Sequence, residues 1–183
     1  MTYGFKDKHD ESKSIRAKQI WWPHVEAYFG PSAAHVVRPG TTEEDKAGCD
    51  VVLEFSAASI RIDIKSRSIG CSKYWQNGPV LALETWSVIP GSNDRNPDGV
   101  IGWTLDKSKV TTHVLYVFDP QDCRSSFLFP FHGLRNTFEM HMASWMQQYY
   151  VSRQKSTYHS SECAFVPARL LMELVEGAQS RII

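Results

Sequence analysis

The pattern of hydrophobic and polar positions is most regular within residues 50–67, where charged residues alternate with apolar ones. Successive side chains of a β-strand point to opposite faces of its sheet, so each face receives every second residue. The second half of the stretch therefore carries an apolar row and a charged row: Ile60, Ile62 and Ile64 against Arg61, Asp63 and Lys65. The pattern predicts a β-hairpin whose isoleucines face the core and whose Asp63 and Lys65 stand side by side on the outer face.

Weaker periodicities predict the remaining elements. Helical spacing favours a helix over residues 12–29, kinked or divided at Pro23, because proline inside a helix costs about 3 kcal/mol. Apolar runs predict strands at 35–38, 80–88, 112–118, 126–129 and 165–166, and helical patterns cover 131–151 and 167–176. The predicted loops are 39–48, 66–78, 89–99 and 152–161. This order of elements predicts an α/β (or α+β) fold with a mixed central sheet flanked by helices.

Length and composition limit the class of protein. A chain of 183 residues suits a single domain over residues 1–183 with a sizeable core. Charged residues make up 22% and hydrophobic residues 42%, which is ordinary for a globular protein. No apolar run approaches the roughly 18 residues that span a bilayer, and the first ten residues lack an apolar signal core. These features predict a cytoplasmic protein with no membrane partner.

The distribution of charge changes this picture in one place. The formal net charge is zero, which weighs modestly against a protein that coats nucleic acid. Residues 61–73 nevertheless carry four basic side chains against one acid, Asp63, and these are Arg61, Lys65, Arg67 and Lys73. Tyr74 and Trp75 follow directly, either as aromatics that stack on bases or as local packing anchors. The sequence predicts a basic patch beside the hairpin.

Candidate chemistry lies on the charged face of the same hairpin. Asp50, at the start of the first strand, can join Asp63 and Lys65 from across the pair. Two carboxylates and an ammonium on a rigid sheet suit a hard divalent cation, which prefers carboxylate and water oxygens. The sequence contains no H-x-x-x-H and no G-x-x-x-x-G-K-[ST], so a zinc protease site and a P-loop for a nucleotide cofactor are not expected.

The spacing of these residues also resembles a known family. Asp50, twelve residues, and then Asp63-Ile64-Lys65 are similar to the core of the PD-(D/E)XK nuclease superfamily, although Cys49 stands where that motif has proline. The superfamily includes many type II restriction enzymes, archaeal Holliday-junction resolvases and phage exonucleases. A weaker likeness covers residues 50–118, in which A-L-E-T-W-S, G-W and T-H-V-L-Y-V-F resemble segments of small nucleases of this superfamily, phage-encoded ones among them.

The resemblance implies a fold and an activity. The implied fold is a restriction-endonuclease-like core of αβββαβ order. The implied activity is hydrolysis of DNA phosphodiester bonds by an endonuclease that depends on Mg²⁺ or Mn²⁺ and acts as a homodimer. DNA is then the partner, with contacts from Arg61, Arg67, Lys73, Tyr74 and Trp75.

The resemblance also assigns roles around the metal. Asp50 and Asp63 are expected to hold the cation, helped by the backbone carbonyl of Ile64. Lys65 is expected to orient the attacking water. A further glutamate is expected to complete the site, either Glu26 of the first helix or Glu84 of the strand at 80–88.

Alternative interpretations remain open on the sequence. Lys65 could form an ordinary salt bridge with Asp63 or Asp50, and Glu26 could be a solvated helix residue. The whole chain could be a catalytically inactive module of this fold that binds nucleic acid or protein, or an unrelated α+β protein with a coincidental D-x-K. The joint presence of Asp50, Asp63 and Lys65 favours the enzyme, because a scaffold does not require all three.

Overall fold

The computed structural model of the protein describes residues 15–30, 36–67, 70–75, 77–118, 123–155 and 160–182. Within these residues the helices are α1 (Ile15–Phe29), α2 (Thr42–Lys46), α3 (Phe131–Gln148) and α4 (Ala168–Leu174), with a 3₁₀ turn at Cys71–Tyr74. The strands are β1 (Val36–Pro39), β2 (Val51–Glu54), β3 (Ser59–Arg67), β4 (Val80–Val88), β5 (Val100–Ile101), β6 (His113–Phe118), β7 (Ser125–Pro130), β8 (Val151–Lys155), β9 (Ser160–Pro167) and β10 (Gln179–Ile182). In this part of the chain no helix is both long enough and apolar enough to cross a bilayer.

Of the two sheets that the described residues form, the larger contains the predicted hairpin. Its strand order is β1-β2-β3-β6-β7-β10. The β3–β6 pair is parallel and the other pairs are antiparallel, which confirms the prediction of a mixed central sheet. The predicted hairpin is confirmed as the antiparallel pair of β2 and β3, with Val51 opposite Ile62. Since β3 has a neighbour on each side, the strand that carries the charged row is an interior strand.

The isoleucine face of this sheet packs against α1. Val25 of α1 is buried in one cluster with Ile62 of β3 and Leu115 of β6, and Ile60 and Ile64 pack against that cluster. The three isoleucines therefore face a core, as their spacing predicts.

A second layer covers the opposite face. It consists of the antiparallel sheet β5-β4-β9-β8 together with α3. Leu83 of β4, Val166 of β9 and Phe138 of α3 are fully buried in one cluster with Tyr116 and Phe129 of the larger sheet. Both faces of the larger sheet are thus covered.

This second layer corrects the expectation that Asp63 and Lys65 lie on an outer face. Both side chains share the face of their register partners Val114 and Tyr116, which belong to the cluster between the layers. Asp63 is 6% exposed, and the Lys65 side chain is 29% exposed. Alternation shows which residues share a face of the sheet. It does not show whether strands from distant parts of the chain cover that face, because their pairing is long-range.

Some predicted helix and loop boundaries are also wrong. Helix α1 continues through Pro23, which is exposed, so the helix is not divided there, while the kink stays a prediction. The predicted loop at 39–48 contains α2, whose Thr41 and Glu44 form a reciprocal capping box. The predicted loop at 66–78 begins later, because β3 continues to Arg67.

The C-terminal third departs further from the prediction. The segment expected as a loop at 152–161 contributes most of β8 and the start of β9, which pair as an antiparallel hairpin. The expected strand at 165–166 extends over all of β9, and the last strand, β10, was not predicted. Helices α3 and α4 end at Gln148 and Leu174, slightly before the predicted ends.

Candidate metal and catalytic site

Asp50 lies at the point where β2 begins, opposite the middle of β3. Its amide donates to the Ile62 carbonyl at 2.8 Å, and its carboxylate Oδ2 accepts the Ile64 N–H at 2.6 Å. The Asp50 carboxylate thus accepts a hydrogen bond from a backbone N–H of β3, a group that needs an acceptor when it is buried. These two bonds fix the Asp50 carboxylate against the strand segment that carries Asp63 and Lys65.

Asp63 and Lys65 form a direct ion pair on β3. The Lys65 Nζ lies 2.8 Å from Asp63 Oδ2. Residues two apart on a strand project from the same face about 6.6 Å apart along the chain, so the long lysine side chain reaches back to the shorter aspartate. Lys65 therefore forms a salt bridge with Asp63, and whether it also has a catalytic role is a separate prediction.

The two carboxylates influence each other electrostatically. Burial is the larger cause and the negative charge of Asp63 the second, and together they raise the pKa of Asp50 to about 7. The Ile64 N–H and the Lys65 ammonium lower the pKa of Asp50 but do not offset these effects. When both aspartates are ionised, Lys65 supplies one positive charge against two negative charges in a partly dehydrated place. Such a place attracts a further cation.

Trp103 is a second contact of the Lys65 ammonium. The Lys65 Nζ lies 4.8 Å from the centre of the Trp103 ring, within the usual range of a cation–π interaction. The ring stacks on Phe131, the first residue of α3, with centroids 6.2 Å apart at 26°, and lies 6.4 Å from the ring of Tyr116. Sequence reasoning missed Trp103 as a site residue, although its G-W motif was part of the weaker family likeness.

Glu84 lies behind this tryptophan. Its Oε2 accepts the Ser87 hydroxyl at 2.6 Å and the Trp103 backbone N–H at 3.1 Å. Gly102 permits the close approach, because a Cβ there would collide with the Glu84 carbonyl and lie 2.8 Å from Glu84 Cγ. The structure thus connects Glu84 with Lys65 through Trp103, and the predicted role of Glu84 as a metal ligand stays a prediction.

Glu26 is not brought to this group. It is exposed on α1, and α1 packs on the isoleucine face of the sheet, whereas Asp63 and Lys65 share the opposite face. No group of three or more His, Cys, Asp or Glu side chains is arranged to hold a metal among the residues the structure describes. The donors at hand are Asp50 and Asp63. A pair of carboxylates fits Mg²⁺, which usually binds one or two protein carboxylates and keeps several water ligands.

The predicted DNA-contacting residues have different environments. Arg61 and Arg67 are half-buried on β3, and Lys73 is exposed in the 3₁₀ turn. Trp75 packs edge-on against Phe118 with centroids 5.3 Å apart at 88°, so it is a packing anchor of the core. The side chain of Tyr74 lies outside what the structure describes, and the contact of the Ile64 carbonyl with a metal stays a prediction.

The arrangement as a whole can bind a hard cation beside a fixed ammonium. Both carboxylates are held by an interior hairpin, and Lys65 is confined between Asp63 and Trp103. Comparison of the chain with family models, curated proteins and solved structures finds no match.

Proposed function

We propose that the chain is a divalent-metal-dependent endonuclease that hydrolyses DNA phosphodiester bonds. The proposal includes a restriction-endonuclease-like core and DNA as the partner. The observation that carries it is the meeting of Asp50, Asp63 and Lys65 on one face of an interior hairpin. These are the residues on which the PD-(D/E)XK resemblance depends, and a mixed sheet with helices is compatible with that core.

The roles of the residues follow from their chemistry. Asp50 and Asp63 would hold Mg²⁺ or Mn²⁺, because buried like charges at short range gain most from a cation between them. A bound divalent ion activates water as a nucleophile and neutralises charge on phosphoryl oxygens. Lys65 would orient the attacking water and stabilise charge that develops on the phosphate. Its ion pair with Asp63 keeps the ammonium beside the reacting centre before DNA arrives.

Further parts of the proposal concern how DNA is bound and cut. Arg61 and Arg67 continue the charged face of β3 on either side of Asp63 and Lys65, and Lys73 is exposed nearby in sequence. Basic side chains of this kind neutralise phosphates and give salt-dependent binding. Two copies of the chain would cut the two strands of a duplex, as in the small homodimeric members of the superfamily. The cytoplasm is the proposed place of action.

A second candidate function is a nucleic-acid-binding module without catalysis. The observation that favours it is the 2.8 Å contact of Lys65 with Asp63, because a salt bridge of this kind satisfies the carboxylate without a metal. The two functions differ in metal dependence. An inactive module would bind DNA equally well with and without Mg²⁺ and would not cut it.

The deciding experiment is a cleavage panel. Linear duplex, nicked, flap, four-way-junction and single-stranded DNA and a supercoiled plasmid would be incubated with Mg²⁺, Mn²⁺ or EDTA. Wild-type protein should nick the plasmid only with a metal ion, and Asp63→Asn should not. The matched control is Glu162→Gln, which alters a buried carboxylate that lies on β9 of the other sheet. Metal-independent binding with no cut in any substrate would reject the nuclease in favour of the module.

A further inference from the structure

Trp103 contacts three parts of the protein that are distant in sequence. Its ring lies over the ammonium of Lys65 on β3 and beside Tyr116 on β6, and it stacks on Phe131 at the start of α3. Trp103 itself lies in the turn between β5 and β6. The residue is half-buried, so the ring is held by packing while one part of it faces the Lys65 site.

The turn that carries Trp103 is fixed from behind by β4. Glu84 Oε2 accepts the Trp103 N–H, and the Gly102 N–H donates to the Thr85 carbonyl at 2.9 Å. The Ser87 hydroxyl orients the same Glu84 oxygen. Gly102 has no side chain that would separate the turn from β4. The three motif segments A-L-E-T-W-S, G-W and L-Y-V-F thus meet around one lysine.

We infer that Trp103 is a positioning residue for Lys65, and that Glu84 acts by holding the Trp103 turn rather than as a metal ligand. The inference deepens the proposed function and rests on it for any effect on cleavage. Its structural part, the placement of the Lys65 side chain by Trp103, does not require that the protein be a nuclease.

The physical reason is the flexibility of lysine. Lysine has four rotatable bonds and loses much rotamer freedom when its ammonium is fixed at one place. The ion pair with Asp63 restrains the ammonium from one side, and a partly exposed ion pair exchanges readily with water. The face of an indole on the second side attracts the charge and blocks outward rotamers. Both restraints together keep Lys65 where it can act on a phosphate.

Placement of Lys65 can be measured without any assay of activity. The ring current of an indole changes the NMR chemical shifts of protons that lie over the ring. The methylene signals of Lys65 should therefore differ in chemical shift from those of exposed lysines. In a ¹³C-lysine spectrum, Lys65→Arg identifies the Lys65 signal by its loss. Trp103→Leu removes the ring current by itself, so in this variant the mobility of the side chain is measured instead: ¹³C relaxation of the Lys65 Cε methylene should approach that of exposed lysines. The matched control is Trp75→Leu, which removes a half-buried tryptophan of the same cluster that packs on Phe118.

The role of Glu84 is separated by two variants. Glu84→Gln keeps a side-chain oxygen that can accept the Trp103 N–H but loses the charge that a metal ligand needs. Glu84→Ala loses both. If Glu84 holds the turn, Glu84→Gln should keep the shifted Lys65 signal and near-wild-type turnover. Glu84→Ala should lose the shift, and turnover should fall by about 10- to 100-fold, as a displaced positioning contact does.

Distinct results would overturn the inference or the nuclease proposal. A Lys65 Cε methylene that is as rigid in Trp103→Leu as in the wild type would reject positioning by the ring. Loss of Mn²⁺ binding and cleavage in Glu84→Gln, to the same extent as in Asp63→Asn, would make Glu84 a metal ligand and reject its proposed role. Absence of cleavage in the wild type would reject the nuclease, and the Lys65 signal in the variants would still decide the structural part.

Discussion

Asp63 and Glu162 are both buried carboxylates on strands, yet they differ in how far neighbouring groups balance their negative charge. They are 6% and 7% exposed, and each lies against a basic side chain. Lys65 Nζ is 2.8 Å from Asp63, and Arg153 Nε is 2.7 Å from Glu162. Burial and a salt bridge therefore do not distinguish the two.

The third partner distinguishes them. Glu162 accepts the Thr85 hydroxyl at 2.8 Å, so it has a neutral donor in addition to its cation. Asp63 instead has Asp50 as a charged neighbour, and the repulsion contributes to the raised pKa of Asp50. A buried carboxylate whose partners balance its charge leaves no negative charge for a further cation, whereas two carboxylates that share one ammonium do.

The largest expected effect is the loss of cleavage when either aspartate loses its charge. Asp63→Asn or Asp50→Asn should lower the cleavage rate by about 100- to 1,000-fold or more and weaken Mn²⁺ binding, because each removes an oxygen ligand while shape is kept. Glu162→Gln should leave the rate nearly unchanged and lower the free energy of unfolding by about 1–3 kcal/mol. Plasmid nicking, Mn²⁺ titration and urea denaturation measure these quantities. Equal loss of metal binding in all three variants would show that Asp50 and Asp63 do not differ from Glu162 in this respect.

The two basic partners should differ in the same way. Lys65→Ala should keep or strengthen Mn²⁺ binding, because a competing positive charge is gone, while turnover falls by about 100- to 1,000-fold. DNA affinity should change little, with a change of about one unit in the salt slope. Arg153→Ala removes the basic partner of Glu162. The Arg153 side chain is 74% exposed, and its loss should not alter turnover. Single-turnover cleavage at saturating DNA separates the two variants.

Lys73→Ala is the matched control for DNA binding. Lys73 is exposed in the 3₁₀ turn, so its removal should weaken DNA binding with little change in the rate at saturation. A Lys65→Ala protein that keeps full turnover would contradict the proposed role of this lysine. So would a variant that loses metal and DNA binding together while its fold is intact.

A smaller effect concerns stability and pH in the absence of metal. The folded state raises the pKa of Asp50 from 3.8 to about 7, so between these values the folded protein holds a proton that the unfolded chain has released. The contribution of Asp50 to stability is full below about pH 4 and is lost as pH rises to about 7, on the order of 4 kcal/mol over the whole range. Urea denaturation in EDTA at pH 5 and pH 8 should show this loss in the wild type and not in Asp50→Asn. An equal change in the free energy of unfolding between pH 5 and pH 8 in both proteins would contradict the raised pKa of Asp50 and the interaction with Asp63 that contributes to it.

The smallest expected effect belongs to Glu26. Because Glu26 is exposed on the helix that packs against the isoleucine face, Glu26→Gln should change cleavage no more than Glu43→Gln on α2. Both should change the free energy of unfolding by less than about 0.5 kcal/mol. A selective loss of cleavage in Glu26→Gln would show that α1 reaches the opposite face and that the site contains a third acid.

Local alternation was sufficient to predict the hairpin and the shared face of Asp50, Asp63 and Lys65. It could not show the second sheet that covers this face, because β4 and β9 approach from far along the chain. Trp103 was missed for the same reason, since its contact with Lys65 depends on a turn between β5 and β6 and on the parallel β3–β6 pair.

Two other errors had signals in the sequence. The capping box of Thr41 and Glu44 is readable as T-x-x-E and marks the start of α2 inside a predicted loop. Strand β8 is polar along most of its length because it is an edge strand with three exposed residues, and polarity alone favoured a loop. In both cases composition was given more weight than spacing.

The parallel pairing of β3 with β6 has a consequence for the order in which the protein acquires its parts. The hairpin of β2 and β3 is closed by a short connection, so Asp50 and Asp63 can meet through a nearby contact. The hydrogen bond between Arg61 and Thr112 beside the parallel pair joins residues 51 positions apart, and closing so long a segment is slower. A chain emerging during synthesis would therefore possess its two carboxylates before the aromatic surroundings that immobilise the lysine. For the proposed nuclease, the two carboxylates would be assembled before the lysine that acts on the phosphate.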